Sequence, residues 1–211
     1  MNKSMKKKAG NQDIWSEFYG QKNNKDLLIK KALSLALLMF SSPYTAAENL
    51  EKGTIGMVKD LKLTERSWAD VRWEFLFLFL NLIDRDAFVF LEDKDDRELF
   101  MNKLLSGLLS IFAKSFGTED KSSISSIEDK LRNEYNNHQQ KYSTYKNLFP
   151  KGDESPVNTV FWEFGKSISE MISDTDKDIR IIMLAYMEAS SSILTMEVPQ
   201  LLTGRSIKDK N

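Results

Sequence analysis

Residues 68–91, WADVRWEFLFLFLNLIDRDAFVFL, constrain the fold more than any other part of the chain. At about 100° per residue, Arg66, Asp70, Glu74, Asn81, Asp84 and Arg85 fall within one arc of roughly 100°. Outside that arc nearly every residue is Phe, Leu, Trp, Ile or Val. A helix this apolar must be covered on most sides, so the spacing predicts the central helix of a bundle over about residues 64–91, or a subunit interface. FLFLFL at 75–80 alternates, but both alternating residues are apolar, a pattern suited only to a fully buried strand. The helical flanks on both sides decide for helix.

The polar arc has two fates. Burying an unpartnered Asp, Glu or Arg costs several kcal/mol. Turned inward, Glu74, Asn81, Asp84 and Arg85 have to form a network or bind something. Turned outward, they are a solvent rim, and the rim is the leading expectation.

The remaining periodicity is helical almost throughout. A buried helix is expected from Asp26 to about Phe40, stopped by Ser42-Pro43 because the residue before proline avoids the α region. A weaker helix follows over about 46–61, diluted by Gly53 and Gly56, and Thr64 is placed to cap the central helix. After the acidic turn at Glu92–Asp96, Met101, Leu104, Leu105, Leu108, Phe112 and Phe116 recur at spacings of three and four. Gly117-Thr118 and the serines at 122–126 read as a loop and cap. A mostly polar helix to about Leu148 carries one stripe, Leu131, Tyr135, His138, Tyr142, Tyr145 and Phe149, which suggests the edge of the bundle. Pro150, Gly152 and Pro156 break the chain before the stripe Val157, Val160, Phe161, Phe164, Ile168 and Met171. A last helix over about 178–196 is rich in Met and small residues, closed by Pro199 and Gly204. No internal repeat of fixed period is visible. The expected fold is therefore all-α: one domain over 11–203, a bundle of six to seven mostly antiparallel helices, with a flexible basic tail at 1–10 and another tail at 204–211. Ile14, Trp15, Phe18 and Tyr19 mark a short amphipathic stretch able to dock the N-terminal region.

Composition narrows the function. The chain holds 30 basic and 31 acidic residues, and its one basic cluster is Lys3, Lys6, Lys7 and Lys8, so no nucleic-acid partner is expected. It has no Cys, which removes disulfides, thiolate metal sites and a Cys nucleophile. Residues 30–47 imitate a secretory signal, but about thirty residues precede them, and the apolar run from Ala32 to Phe40 is too short for a bilayer span. The expectation is a soluble, cytoplasmic protein without a membrane span.

Several motifs fail on their chemistry. Phe164-Gly165-Lys166-Ser167 ends like a phosphate loop, but the position five residues before Gly165 is Val160 rather than glycine. Asp174, Asp176 and Asp178 open like a calcium loop, yet its sixth and twelfth positions are Ile179 and Ala185. Capping of a helix start explains these carboxylates. A serine hydrolase would need an elbow or a Ser-Lys box in a suitable context, and neither is evident. His138 is the sole histidine, with Glu134 one turn before it. A ferritin-like site needs Glu-x-x-His on two helices, so that pattern fails too. The remaining metal reading uses Glu74, Asp84, Glu134 and His138 with magnesium or manganese, hard cations that favour oxygen ligands. Against it stands a hydrogen bond from His138 to Glu134 or a tyrosine.

The leading expectation is a non-enzymatic module for protein–protein interaction or self-association, a homo-oligomer without a cofactor. Exposed aromatic and Met-rich helix faces would mediate it. Trp15, Trp68, Trp73 and Trp162 are the candidate anchors, Trp162 the sharpest because it lies off the core stripe of its helix. Interface or ligand candidates are Glu74, Asn81, Asp84, Arg85, Trp73 and Trp162. The alternatives are a divalent-metal hydrolase working from Glu74 and Asp84, and a binder of a small apolar ligand in a cavity lined by Phe75, Phe79 and Leu82.

Overall fold

The computed structural model describes residues 25–57, 65–115, 121–152, 155–173 and 178–204. It is an all-α bundle, as the periodicity requires. The helices are α1 (Lys25–Met57), α2 (Glu65–Phe90), α3 (Lys94–Ser115), α4 (Lys121–Ser143), α5 (Val160–Ile172), α6 (Ile179–Thr195) and the short α7 (Val198–Thr203). The segments 1–10 and 11–24, with Trp15, and the cap expected at Thr64 lie outside the described residues, as does the tail beyond Gly204.

α2 is the central helix. It touches each of the other six described helices, and every residue from Glu74 to Ile83 is buried. Phe75 meets Phe79 at 5.8 Å between ring centroids and Phe164 of α5 edge-on at 4.8 Å. The rings themselves fill the region assigned above to an apolar-ligand cavity. Around α2, α1 packs on α3 and α6, and α5 packs on α6.

Three boundaries differ from expectation, each for a tertiary reason. Pro43 does not end a helix: α1 runs straight through it for 33 residues and takes in the expected helix from 46 to Met57, its last part at 58–61 lying outside the described residues. Pro43 is itself buried, with Met39, Ala46 and Ala47 buried on either side. The hydroxyls of Ser41 and Thr45 donate to the carbonyls of Leu38 and Ser41, at 3.2 and 3.4 Å, bracketing the break in the ladder. Burial along both halves outweighs a proline penalty of about 3 kcal/mol. Ser125 and Ser126 lie within α4 rather than in a loop, and α4 stops at Ser143 instead of Leu148. Pro199, read as a helix stop, sits in the first turn of α7, where its missing N–H costs nothing.

Other signals behave as their chemistry predicts. Asp93 Oδ1 accepts the N–H of Asp95 at the start of α3. Thr159 caps α5 and Asp178 caps α6, the latter accepting the N–H of Arg180 at 2.9 Å. Gly204 ends α7 at φ 72°, a left-handed position that suits glycine. By length and hydropathy alone, 25–53 and 179–203 are each long and apolar enough to cross a membrane, a test that core helices also pass.

Candidate functional site

The polar arc of α2 divides along its length. Asp70 is exposed, Glu74 and Asn81 are buried, and Asp84 and Arg85 are half-buried. The expected rim is therefore a polar seam, and α4 covers its middle. The inward residues of α4 belong to the stripe noted above: Leu131 and Tyr142 are buried, Tyr135 and His138 half-buried, and Tyr145 follows half-buried just beyond the helix end.

Glu74 anchors the seam at 3% exposure. Its Oε1 accepts from Lys141 Nζ at 2.7 Å and from the Tyr142 hydroxyl at 2.5 Å. Lys141 also donates to Ser167 Oγ of α5 at 2.8 Å, and Ser167 donates in turn to the carbonyl of Glu163 at 3.1 Å. One carboxylate thus joins three helices. Burial, then the Glu74 charge and hydrogen bond, hold the Tyr142 phenol well above its ordinary range, so it stays a donor. His138 Nδ1 lies 3.5 Å from Glu74 Oε2, a charge-pairing distance without hydrogen-bond geometry. The imidazole stacks on Phe77 at 4.5 Å, with the rings 13° apart. Burial lowers its pKa, opposed by Glu74, so the ring is neutral at pH 7. The hydrogen bond expected from His138 to Glu134 or a tyrosine is not made at Nδ1, which instead lies at charge-pairing distance from Glu74 on α2.

Two turns further along α2, the Nδ2 of Asn81 donates to Gln139 Oε1. Arg85 donates from Nε to Asn81 Oδ1 at 3.0 Å, and from Nη2 to the carbonyls of Tyr142 and Tyr145 at 2.6 and 2.9 Å. These are carbonyls at the C-terminal end of α4, where a helix leaves acceptors unpaired and favours a cation. Arg85 is a helix cap supplied in trans.

Asp84 faces α3. Arg97 grips it with both Nε and Nη2, the contacts running from 2.8 to 3.1 Å. Ten residues of helix, about 15 Å, separate it from Glu74. The four metal candidates are thus not one site. Glu74 and His138 converge and Glu134 is near enough to act on His138, but Asp84 is elsewhere and engaged by Arg97. Among the described residues no three His, Asp or Glu side chains gather as a metal site would require. The sequence reading missed Lys141, Gln139, Ser167 and Arg97. A signal existed in Tyr135, His138 and Tyr142, whose polar tips on an inward stripe demand partners.

Of the interface candidates, Trp73 is half-buried against the core, stacked on Phe77 and tilted against Phe112 at 5.4 Å. Trp162 is half-buried on α5. The largest exposed apolar groups lie elsewhere. α1, expected to be buried, is buried on one side only: Leu33, Leu37, Phe40 and Tyr44 line its outer face, with Leu37 63% exposed. Arg72 lies 3.9 Å over the Tyr44 ring, and Phe40 meets Phe112 edge-on at 5.3 Å. α6 exposes Ile179, Met183, Met187 and Leu194, with Met187 60% exposed.

The described residues thus define an all-α bundle with a polar seam in which His138 Nδ1 and Gln139 Nε2 are buried without a hydrogen-bond partner, and with apolar side chains exposed on α1, α6 and the end of α2, at Phe88 and Val89. Compared with family models, curated proteins and solved structures, the chain matches none.

Proposed function

We propose that this chain is a non-enzymatic interaction module that binds protein through the outer faces of α1 and α6. The observation that carries the reading is the coherence of those faces. Leu33, Leu37, Phe40 and Tyr44 follow a four-three-four spacing, and Met183, Met187 and Leu194 a four-seven spacing, so each set lies along one side of its helix. Apolar side chains scattered singly are ordinary on a surface, whereas contiguous stripes mark binding sites. Leu and Phe supply the area, and Met adapts to the shape it meets.

The hydrolase reading draws less support from the same geometry. Its two carboxylates are committed, Glu74 to Lys141 and Tyr142, and Asp84 to Arg97. The apolar-ligand reading is weakened by the ring packing at Phe75.

Photo-cross-linking in cells tests the proposal. A benzophenone amino acid would be placed at Leu37, at Met187 and, as control, at Lys94, whose side chain is 84% exposed. A discrete protein adduct is expected at Leu37 or Met187 and not at Lys94. Equal, diffuse labelling at all three positions would count against an interaction face.

A further inference from the structure

Arg85, Arg97, Arg132 and Arg180 each donate to a carbonyl or carboxylate oxygen. Arg72 does not. It is half-buried on α2 and meets two rings instead. Its guanidinium carbon lies 3.9 Å from the ring centre of Tyr44 on α1, and 5.3 Å from that of Trp68, one turn earlier on α2. Aromatic faces attract the charge but do not accept its N–H groups as an oxygen would. Among the described residues Arg72 has no hydrogen bond or ion pair, and its Nε is buried. A buried donor left in this state costs stability, and such groups are rare in folded proteins.

We propose, resting on the interaction reading above, that Arg72 anchors a carboxylate of the protein partner: one Asp or Glu side chain set among apolar residues. Tyr44 is 46% exposed, so its ring can swing aside. That movement opens Nε and Nη2 of Arg72 to the two oxygens of one carboxylate, the side-on fork that suits a guanidinium. Phe40 and Leu37, one and two turns before Tyr44, are exposed apolar ground for the residues around that carboxylate. Trp, Tyr and Arg are also the residues that most often dominate the energy of a protein interface. The surroundings are not basic. Glu48 lies one turn beyond Tyr44, and Asp70 is exposed two residues after Trp68. One cation in such company fits a single acidic side chain better than a polyanion such as nucleic acid or an acidic membrane.

Selection on the full chain from a displayed library of random peptides tests this. Recovered peptides are expected to share one Asp or Glu between apolar residues. In calorimetry with the unaltered chain, exchanging that residue for Asn or Gln should weaken binding about ten- to a hundredfold, the loss of one bidentate charged pair. Against Arg72→Gln the parent peptide should be equally weak, and the exchange should then change nothing further. Arg72→Lys, which keeps the charge without the fork, should bind in between. The exchange on the peptide is read on the unaltered chain, so it decides the matter even where Arg72→Gln fails to fold. Peptides that share no acidic position, or that bind Arg72→Gln as well as the parent chain, overturn the anchor. So does a selection that recovers none. A protein adduct at Leu37 in the cross-linking experiment leaves the interaction reading standing in each case. Absence of any adduct at Leu37 and Met187 overturns that reading and the anchor with it. Arg72-dependent binding to vesicles of phosphatidylcholine and phosphatidylserine, without an acidic peptide, overturns the protein partner in favour of a lipid headgroup.

Discussion

Glu74 and Lys141 are unequal partners. Glu74 is 3% exposed, whereas the Lys141 side chain is 37% exposed and able to reach water. Losing the lysine strands a buried carboxylate with only the Tyr142 hydroxyl as a direct hydrogen-bond donor. Losing the glutamate frees a cation that can turn outward. Lys141→Met is therefore expected to cost about 3 kcal/mol, near the range for breaking a buried pair, and Glu74→Met less. The double variant should recover part of the loss of Lys141→Met. Urea unfolding of the three variants and the parent closes the cycle.

Asp86 lies on the side of α2 that carries Phe75, Phe79 and Leu82, and burial lifts its pKa from 3.8 to about 6. A raised carboxyl pKa means the folded state holds the proton more tightly than the unfolded chain. Its favourable contribution is complete below pH 3.8 and is lost as pH rises through about 6. Asp86→Asn removes that cost, and should raise stability by about 1–2 kcal/mol at pH 7.5, after discounting the full shift for partial exposure. At pH 3.5 the difference should vanish. Denaturant midpoints at the two pH values measure it, and an equal effect at both would contradict the burial argument.

At the scale of elements, Gly165 explains the fragment that resembled a phosphate loop. A Cβ built there would stand 2.6 Å from the backbone carbonyl oxygen of Ile182 and 3.0 Å from its Cγ2. The glycine is a close crossing of α5 and α6, and Lys166 and Ser167 have ordinary tasks beside it: Lys166 pairs with Glu163, and Ser167 accepts from Lys141. Because backbone cannot yield as a side-chain tip does, Gly165→Ala is expected to cost about 1–3 kcal/mol. Thermal unfolding would register it. The helix gains about 1 kcal/mol in propensity, so a net gain in stability would show that the two helices separate more easily than their packing implies.

Elements also mark where the sequence was readable. The Phe/Leu run of α2 declares itself because few arrangements can bury it. The start of α6 at Asp178 and the stop of α7 at Gly204 are equally local, written in cap chemistry. Pro43 misleads because its penalty is local while the burial that outweighs it comes from α2, α3 and α6. The outer face of α1 was hidden because leucine occupies both sides of the helix, Leu28 and Leu35 buried and Leu33, Leu37 and Leu38 exposed, which flattens its periodicity. At the seam, Glu74, Asn81 and Arg85 were legible as a polar stripe. Their partners, 57 to 68 residues downstream, were not, since periodicity gives the face of a helix but not its neighbour.

At the scale of the whole molecule, one cluster of buried apolar side chains runs through α1 to α7. Phe79, fully buried on α2, lies near its middle. Phe79→Ala is expected to lower stability by about 3–5 kcal/mol, a large part of the 5–15 kcal/mol typical of a domain. Tryptophan fluorescence and far-ultraviolet circular dichroism should then report a single shared transition, because no helix is independent of α2. Separate transitions would divide the bundle into units. Near the two ends of the described chain, Lys31 donates to the carbonyl of Leu202 at 3.1 Å, so α1 helps to close α7.

The order in which these helices are written has a cost in time. α2 ends at Phe90, yet Tyr142, Phe164 and Val198, which cover it, belong to helices made later. At the usual 5–20 residues per second, a ribosome spends on the order of ten seconds between Phe90 and the end of α7. Through that interval the nascent chain carries Phe75, Phe79 and their neighbours with much of their cover still unmade. Production of this protein should therefore depend on chaperones that shield apolar segments during translation, more than the stability of the finished bundle would suggest.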